Sequence, residues 1–101
     1  MDANLCIRDL GYAMANNDRA WCHRALADLE QCLKRGQTAV FNASIAGRNS
    51  RGHVRRSLPF YGTPYAIMTV DPNDDAAGYA LFVYDAKGNE TARYPLLKEA
   101  P

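Results

Sequence analysis

From Gln31 to Val70 the chain contains no aspartate or glutamate. Lys34, Arg35, Arg48, Arg51, Arg55 and Arg56 all fall inside that gap, half of the twelve bases in the protein. The acids sit on either side, five against three bases before Gln31 and six against three after Val70. A formal net charge of +1 therefore averages over a polar molecule. Segregation of this kind marks a surface that meets something anionic.

Other absences narrow the class. The longest apolar run, Tyr79 to Tyr84, has six residues, against the ~20 that a membrane-spanning helix requires. The chain opens Met-Asp-Ala-Asn, acidic and with no apolar stretch behind it, so no secretory signal is expected. Asn42-Ala43-Ser44 and Asn89-Glu90-Thr91 match the glycosylation sequon and are read as coincidences without such a signal. Three cysteines, Cys6, Cys22 and Cys32, are odd in number and form no Cys-x-x-Cys pair. Each falls on the apolar side of an expected helix, which reads as buried reduced thiol and a cytoplasmic protein. Sixteen alanines thin the core that 101 residues can build, leaving little volume for a buried cofactor, and none is expected.

What is present starts with helices. Cys22, Ala25, Leu26, Leu29, Cys32 and Leu33 recur at three- and four-residue steps, the stripe of a helix with one buried face. Asn17 or Asp18 supplies its N-cap and Gly36 its left-handed stop. Lys34 and Arg35 complement the helix dipole in the last turn, and Arg24–Asp28 and Glu30–Lys34 are spaced to pair on the outer face. An earlier helix is expected from about Asn4 to Ala15, weakened by Gly11.

From Gln37 the period falls to two. Ala39, Phe41, Ala43 and Ile45 alternate with Thr38, Val40, Asn42 and Ser44 as in a half-buried strand. Further strands are expected over Tyr65–Val70, Tyr79–Asp85 and Glu90–Leu96, the last two joined by a hairpin turn at Ala86-Lys87-Gly88-Asn89. Pro95 lacks an amide donor, so the final strand should be an edge or end there. The reading is one α+β domain over 1–101, with a helical part at 1–36 and a sheet part at 37–101 carrying a basic connection at 47–58. Two helices pack on one face of a three- or four-stranded, mainly antiparallel sheet.

The basic connection is densest at Arg48-Asn49-Ser50-Arg51-Gly52-His53-Val54-Arg55-Arg56. Four occupants suit it: nucleic acid, an acidic protein surface, a phosphorylated small ligand, or solvent alone. Nucleic acid leads among the partners. Arg48, Arg51, Arg55 and Arg56 would neutralise phosphates, His53 would add a pH-sensitive donor, and Tyr61 or Tyr65 would offer a stacking face. The rival is a non-enzymatic protein-interaction module, an inhibitor or adaptor.

Chemistry-bearing motifs fail on inspection. Gly47 to Val54 has the glycine spacing of a phosphate-binding P-loop but holds His53 and Val54 where lysine and Ser/Thr are required. Asp71, Asn73 and Asp75 open like a calcium loop, then place Ala76 and Phe82 where glycine and glutamate belong. Cys22 and His23 are adjacent on a helix and diverge by ~100°, a poor thiolate–imidazole geometry. Zinc lacks four convergent ligands, because Cys22 and Cys32 lie on the apolar stripe while His23 points to the polar side. No enzyme is expected and no metal. Trp21 reads as a half-buried anchor, and Tyr79, Tyr84 and Tyr94 divide between the two sheet faces, so the face away from the helices is a candidate homodimer surface.

Overall fold

A computed structural model describes residues 1–41, 62–71 and 73–98. The first helix, α1, runs Ala3–Ala15, with the Asp2 carboxylate accepting from the Asn4 N–H at 2.7 Å. It stops at a tight joint where Asn17 takes φ +51°, a left-handed conformation that asparagine tolerates better than most residues. Asp18 then caps the second helix, α2 (Arg19–Lys34), accepting from the Trp21 N–H at 3.0 Å. Removing such a cap costs about 1 kcal/mol. At the far end Gln37 N–H reaches Cys32 O and Gly36 N–H reaches Leu33 O, each at 3.1 Å, while Gly36 adopts φ +87°. That double bond is a Schellman stop, and the missing Cβ makes it inexpensive.

The sheet follows. Strand β1 covers Val40–Phe41, β2 Tyr65–Thr69, β3 Tyr79–Tyr84 and β4 Glu90–Lys98, in the spatial order β1-β4-β3-β2. The pairings β2–β3 and β3–β4 are antiparallel, and β1–β4 is parallel. The fold is α+β, helices first, with a mixed and mostly antiparallel sheet. Ala39 and Phe41 are buried while Thr38 and Val40 are exposed, the alternation expected of the first strand. The continuation of that strand through Ala43 and Ile45 lies outside the described residues.

The register sorts the sheet into two faces. Tyr65, Ile67, Leu81, Leu96 and Phe41 join Cys6, Ile7, Leu10, Leu26, Leu29 and Leu33 of the helices in one core. Burying each large aliphatic side chain contributes about 1.5–3 kcal/mol. Trp21 packs half-buried against this core, and so do Tyr79 and Tyr94. Tyr84 points the other way, along with Ala66, Ala80 and Phe82, which are buried, and Val40 and Leu97, which are exposed. Over Phe82 lies the Arg93 guanidinium, 4.4 Å from the ring centroid and held by the two hydrogen bonds it donates to the Glu90 carboxylate at 2.9 and 3.0 Å.

Three expectations need correcting. β4 neither ends at Pro95 nor forms an edge; it runs on to Lys98 with β3 on one side and β1 on the other. The Leu97 N–H donates to Ala39 O at 2.8 Å, so alternate residues of β4 turn their N–H groups toward β1. Pro95 shares that orientation, and β1 pairs only with Leu97 and Lys98. The missing donor faces a place where no strand of the described residues lies, so nothing is lost. Glu30 is not on the outer face but buried, although its pair with Lys34 forms at 3.7 Å. Arg24 and Asp28 form no ion pair among the described residues.

The N-terminus is tied into this frame from two sides. Gln37 accepts from the Ala3 N–H at 2.9 Å and donates to Met1 O at 3.0 Å. Asn4 accepts from the Val40 N–H at 2.9 Å, the donor that β1 turns away from β4.

Candidate functional site

Of the residues expected to meet an anion, Arg48, Arg51, His53, Arg55, Arg56 and Tyr61 lie outside the described residues. The places where their segment leaves and rejoins the fold are described. It leaves after Phe41, in β1 at one side of the sheet, and rejoins at Gly62 before β2 at the opposite side. Gly62 takes φ +77°, a conformation that side chains rarely adopt.

Tyr65 is the one expected site residue within the described part, and it is 7% exposed. Its backbone N–H donates to Thr63 Oγ1 at 3.3 Å, and that hydroxyl donates back to Tyr65 O at 3.4 Å. The phenol donates to Glu30 Oε1 at 2.9 Å, and Glu30 Oε2 lies 3.7 Å from Lys34 Nζ. His23, exposed on α2, sets its ring 6.0 Å from that of Tyr65 at a 57° tilt. In this arrangement the Tyr65 ring is enclosed by the core and leaves no open face for a base to stack on. The residue acts as a peg, joining the start of β2 to one flank of α2.

The chemistry of this cluster is that of a structural bond. Burial, then the hydrogen bond and charge of Glu30, push the Tyr65 hydroxyl up to about 12. A phenol so held stays protonated near neutral pH and serves as a donor, not as a base or nucleophile. The thiols are equally quiet. Burial pushes Cys6 up to about 12, with Cys32 adding to the rise, and burial also raises Cys22. All three cysteines are free and buried. Inert structural cysteines have this environment.

The acidic turn after β2 spends its side chains on its own backbone. Asp71 accepts from the Asn73 N–H and Asp74 from the Ala76 N–H, each at 2.9 Å. Among the described residues no three His, Cys, Asp or Glu side chains converge to hold a metal ion.

Sequence reasoning missed Glu30 and its link to Tyr65. A weak signal exists: Glu30 follows Leu29 and stands one turn after Leu26, at the border of the apolar stripe. Nothing local says that a tyrosine thirty-five positions later will meet it.

Compared with protein-family models, with curated proteins and with solved structures, the chain finds no match in any of the three.

Proposed function

We propose that this is a small non-enzymatic binding protein that uses Arg48, Arg51, His53, Arg55 and Arg56 against an anionic macromolecule, nucleic acid first. One observation carries the reading: the division of charge between the basic segment and the rest of the chain. Residues 42–61 hold four arginines and no acid, whereas the rest of the chain holds eight bases against eleven acids. A body with an acidic excess does not attract phosphates as a whole; the segment supplies the attraction locally. Tyr61 takes the stacking role, since Tyr65 is committed to Glu30.

Fluorescence anisotropy with labelled single- and double-stranded oligonucleotides tests the reading. Binding should weaken steeply with added salt, because each neutralised phosphate releases counterions. The triple variant Arg51→Ala, Arg55→Ala, Arg56→Ala should keep the wild-type circular dichroism and lose most of its affinity. A folded triple variant that binds as tightly as the wild type sinks the proposal.

A second reading, an adaptor or inhibitor docking on an acidic protein surface, draws support from Val40 and Leu97. They are neighbours across β1 and β4 and are 37% and 51% exposed on the sheet face away from the helices. Paired exposed aliphatics suit a protein contact better than a phosphate backbone. Capture of a partner that survives nuclease treatment, with no oligonucleotide binding at low salt, favours this reading. No helix among the described residues is long and apolar enough to cross a membrane.

A further inference from the structure

α2 has a second face whose composition its core packing does not explain. Opposite the buried stripe lie Ala20, Arg24, Gln31 and Arg35, all exposed, with His23 and Lys34 along one flank and Asp28 on the other; Ala27 is half-buried against the core. Arg24 and Arg35 are exposed, and neither forms an ion pair among the described residues. The helix's third acid besides Asp28 and the capping Asp18 is Glu30, turned inward to the Tyr65 hydroxyl at 2.9 Å. The outward surface of α2 is thus basic, on a body whose described residues carry an acidic excess.

Its position matters as much as its charge. Tyr65 touches Glu30 and sits beside His23, so the start of β2 lies along this helix. The start of β2 is also where the basic segment rejoins the fold, at Gly62. The His23–Lys34 flank of α2 therefore borders Tyr65, three residues along the chain from Gly62.

We infer that the outward face of α2, through Arg24, Gln31, Lys34 and Arg35, is a second part of the nucleic-acid surface and contacts the phosphate backbone. Guanidinium and ammonium groups would neutralise phosphates, Gln31 would donate to a phosphate oxygen, and the small Ala20 would let the strand approach the start of the helix. This rests on the nucleic-acid reading above and extends it from the segment to the folded body. Contacts of this kind position a strand without reading its sequence.

The test uses the full-length chain and a labelled mixed-sequence single-stranded oligonucleotide, titrated at several salt concentrations. The double variant Arg24→Glu, Arg35→Glu changes only exposed side chains, and its melting temperature establishes that it folds. Losing two phosphate contacts should weaken binding about tenfold at low salt and reduce the slope of log K against log salt by about 1.4. Gln31→Leu, which leaves charge unchanged, should weaken binding about threefold with no change of slope. If the Arg51→Ala, Arg55→Ala, Arg56→Ala variant loses binding while the α2 variants keep both wild-type affinity and slope, the inference is overturned and the segment acts alone. If the wild type itself does not bind, the nucleic-acid reading fails and takes this one with it.

Discussion

The Tyr65 hydroxyl reaches back thirty-five residues to donate a 2.9 Å hydrogen bond to the buried Glu30 carboxylate. This one bond joins β2 to α2 at the point where the basic segment returns to the fold. Replacing Tyr65 with phenylalanine keeps the ring and leaves Glu30 short of a donor. We predict a loss of about 1–3 kcal/mol, read from urea unfolding. Tyr65→Phe with unchanged stability would show that the bond contributes nothing.

The same residue sets a dependence on alkali. Its hydroxyl, pushed up to about 12, stands above the ordinary tyrosine value of about 10. The folded chain therefore holds this proton more tightly than the unfolded one. That contribution is complete below about pH 10 and fades as pH rises toward 12. Melting temperature measured from pH 8 to pH 11 should fall more steeply for wild type than for Tyr65→Phe. Parallel curves would contradict the assignment.

At the hairpin the sign reverses. Asp85 accepts from the Asn89 and Lys87 N–H groups, both at 2.9 Å, and these bonds hold its carboxyl below the usual carboxylate range. Its contribution is present above the ordinary carboxylate pKa and disappears as pH falls through the lowered one. Asp85→Asn should be less stable than wild type at pH 6, and the gap should close toward pH 2. Thermal melts across that range decide it.

Gln37 clamps both Met1 O and the Ala3 N–H. Gln37→Ala should cost about 1 kcal/mol, since the Ala3 N–H loses its partner while Met1 O keeps only the weak Cys32 thiol donor at 3.5 Å. Amide exchange should accelerate at Ala3 and Asn4 while Leu29 and Leu33 keep wild-type protection. Uniform acceleration across both helices would instead mean a global loss.

The thiols offer a simple readout of folding. Cys6, Cys22 and Cys32 are buried in the helix core. At pH 8 a maleimide should label none of them in the native protein and all three in guanidinium. Rapid labelling of Cys6 or Cys32 under native conditions would show that α1 lifts away from α2.

The parts of the fold legible in the sequence are those whose causes are local. Asp18 before an apolar stripe and Gly36 after it mark α2 because caps and left-handed stops act within a turn. Tyr79 to Asn89 shows its hairpin for a similar reason: alternation and turn chemistry lie next to one another. What escaped is non-local. β1 pairs in parallel with β4, whose partner residues lie fifty-seven positions away, and no periodicity records that choice. Pro95 illustrates the limit well. Its missing donor was visible, but the side of the strand it faces depends on where β1 stops. The candidate site divides likewise: the arginines are plain in the sequence, the burial of Tyr65 is not, and the basic face of α2 emerges only when Glu30 is seen to turn inward.

Pro95 also has a bearing on the alignment of β1. Sliding β1 by two residues toward the start of β4 would bring Ala39 O opposite a nitrogen that has no hydrogen to give. A slide of one residue would carry Phe41 out of the core, because successive strand residues face opposite ways. Movement in the other direction would pull Val40 from Asn4. A two-residue strand, too short to hold its place through its own ladder, is thus kept in register by what each alternative alignment would lose.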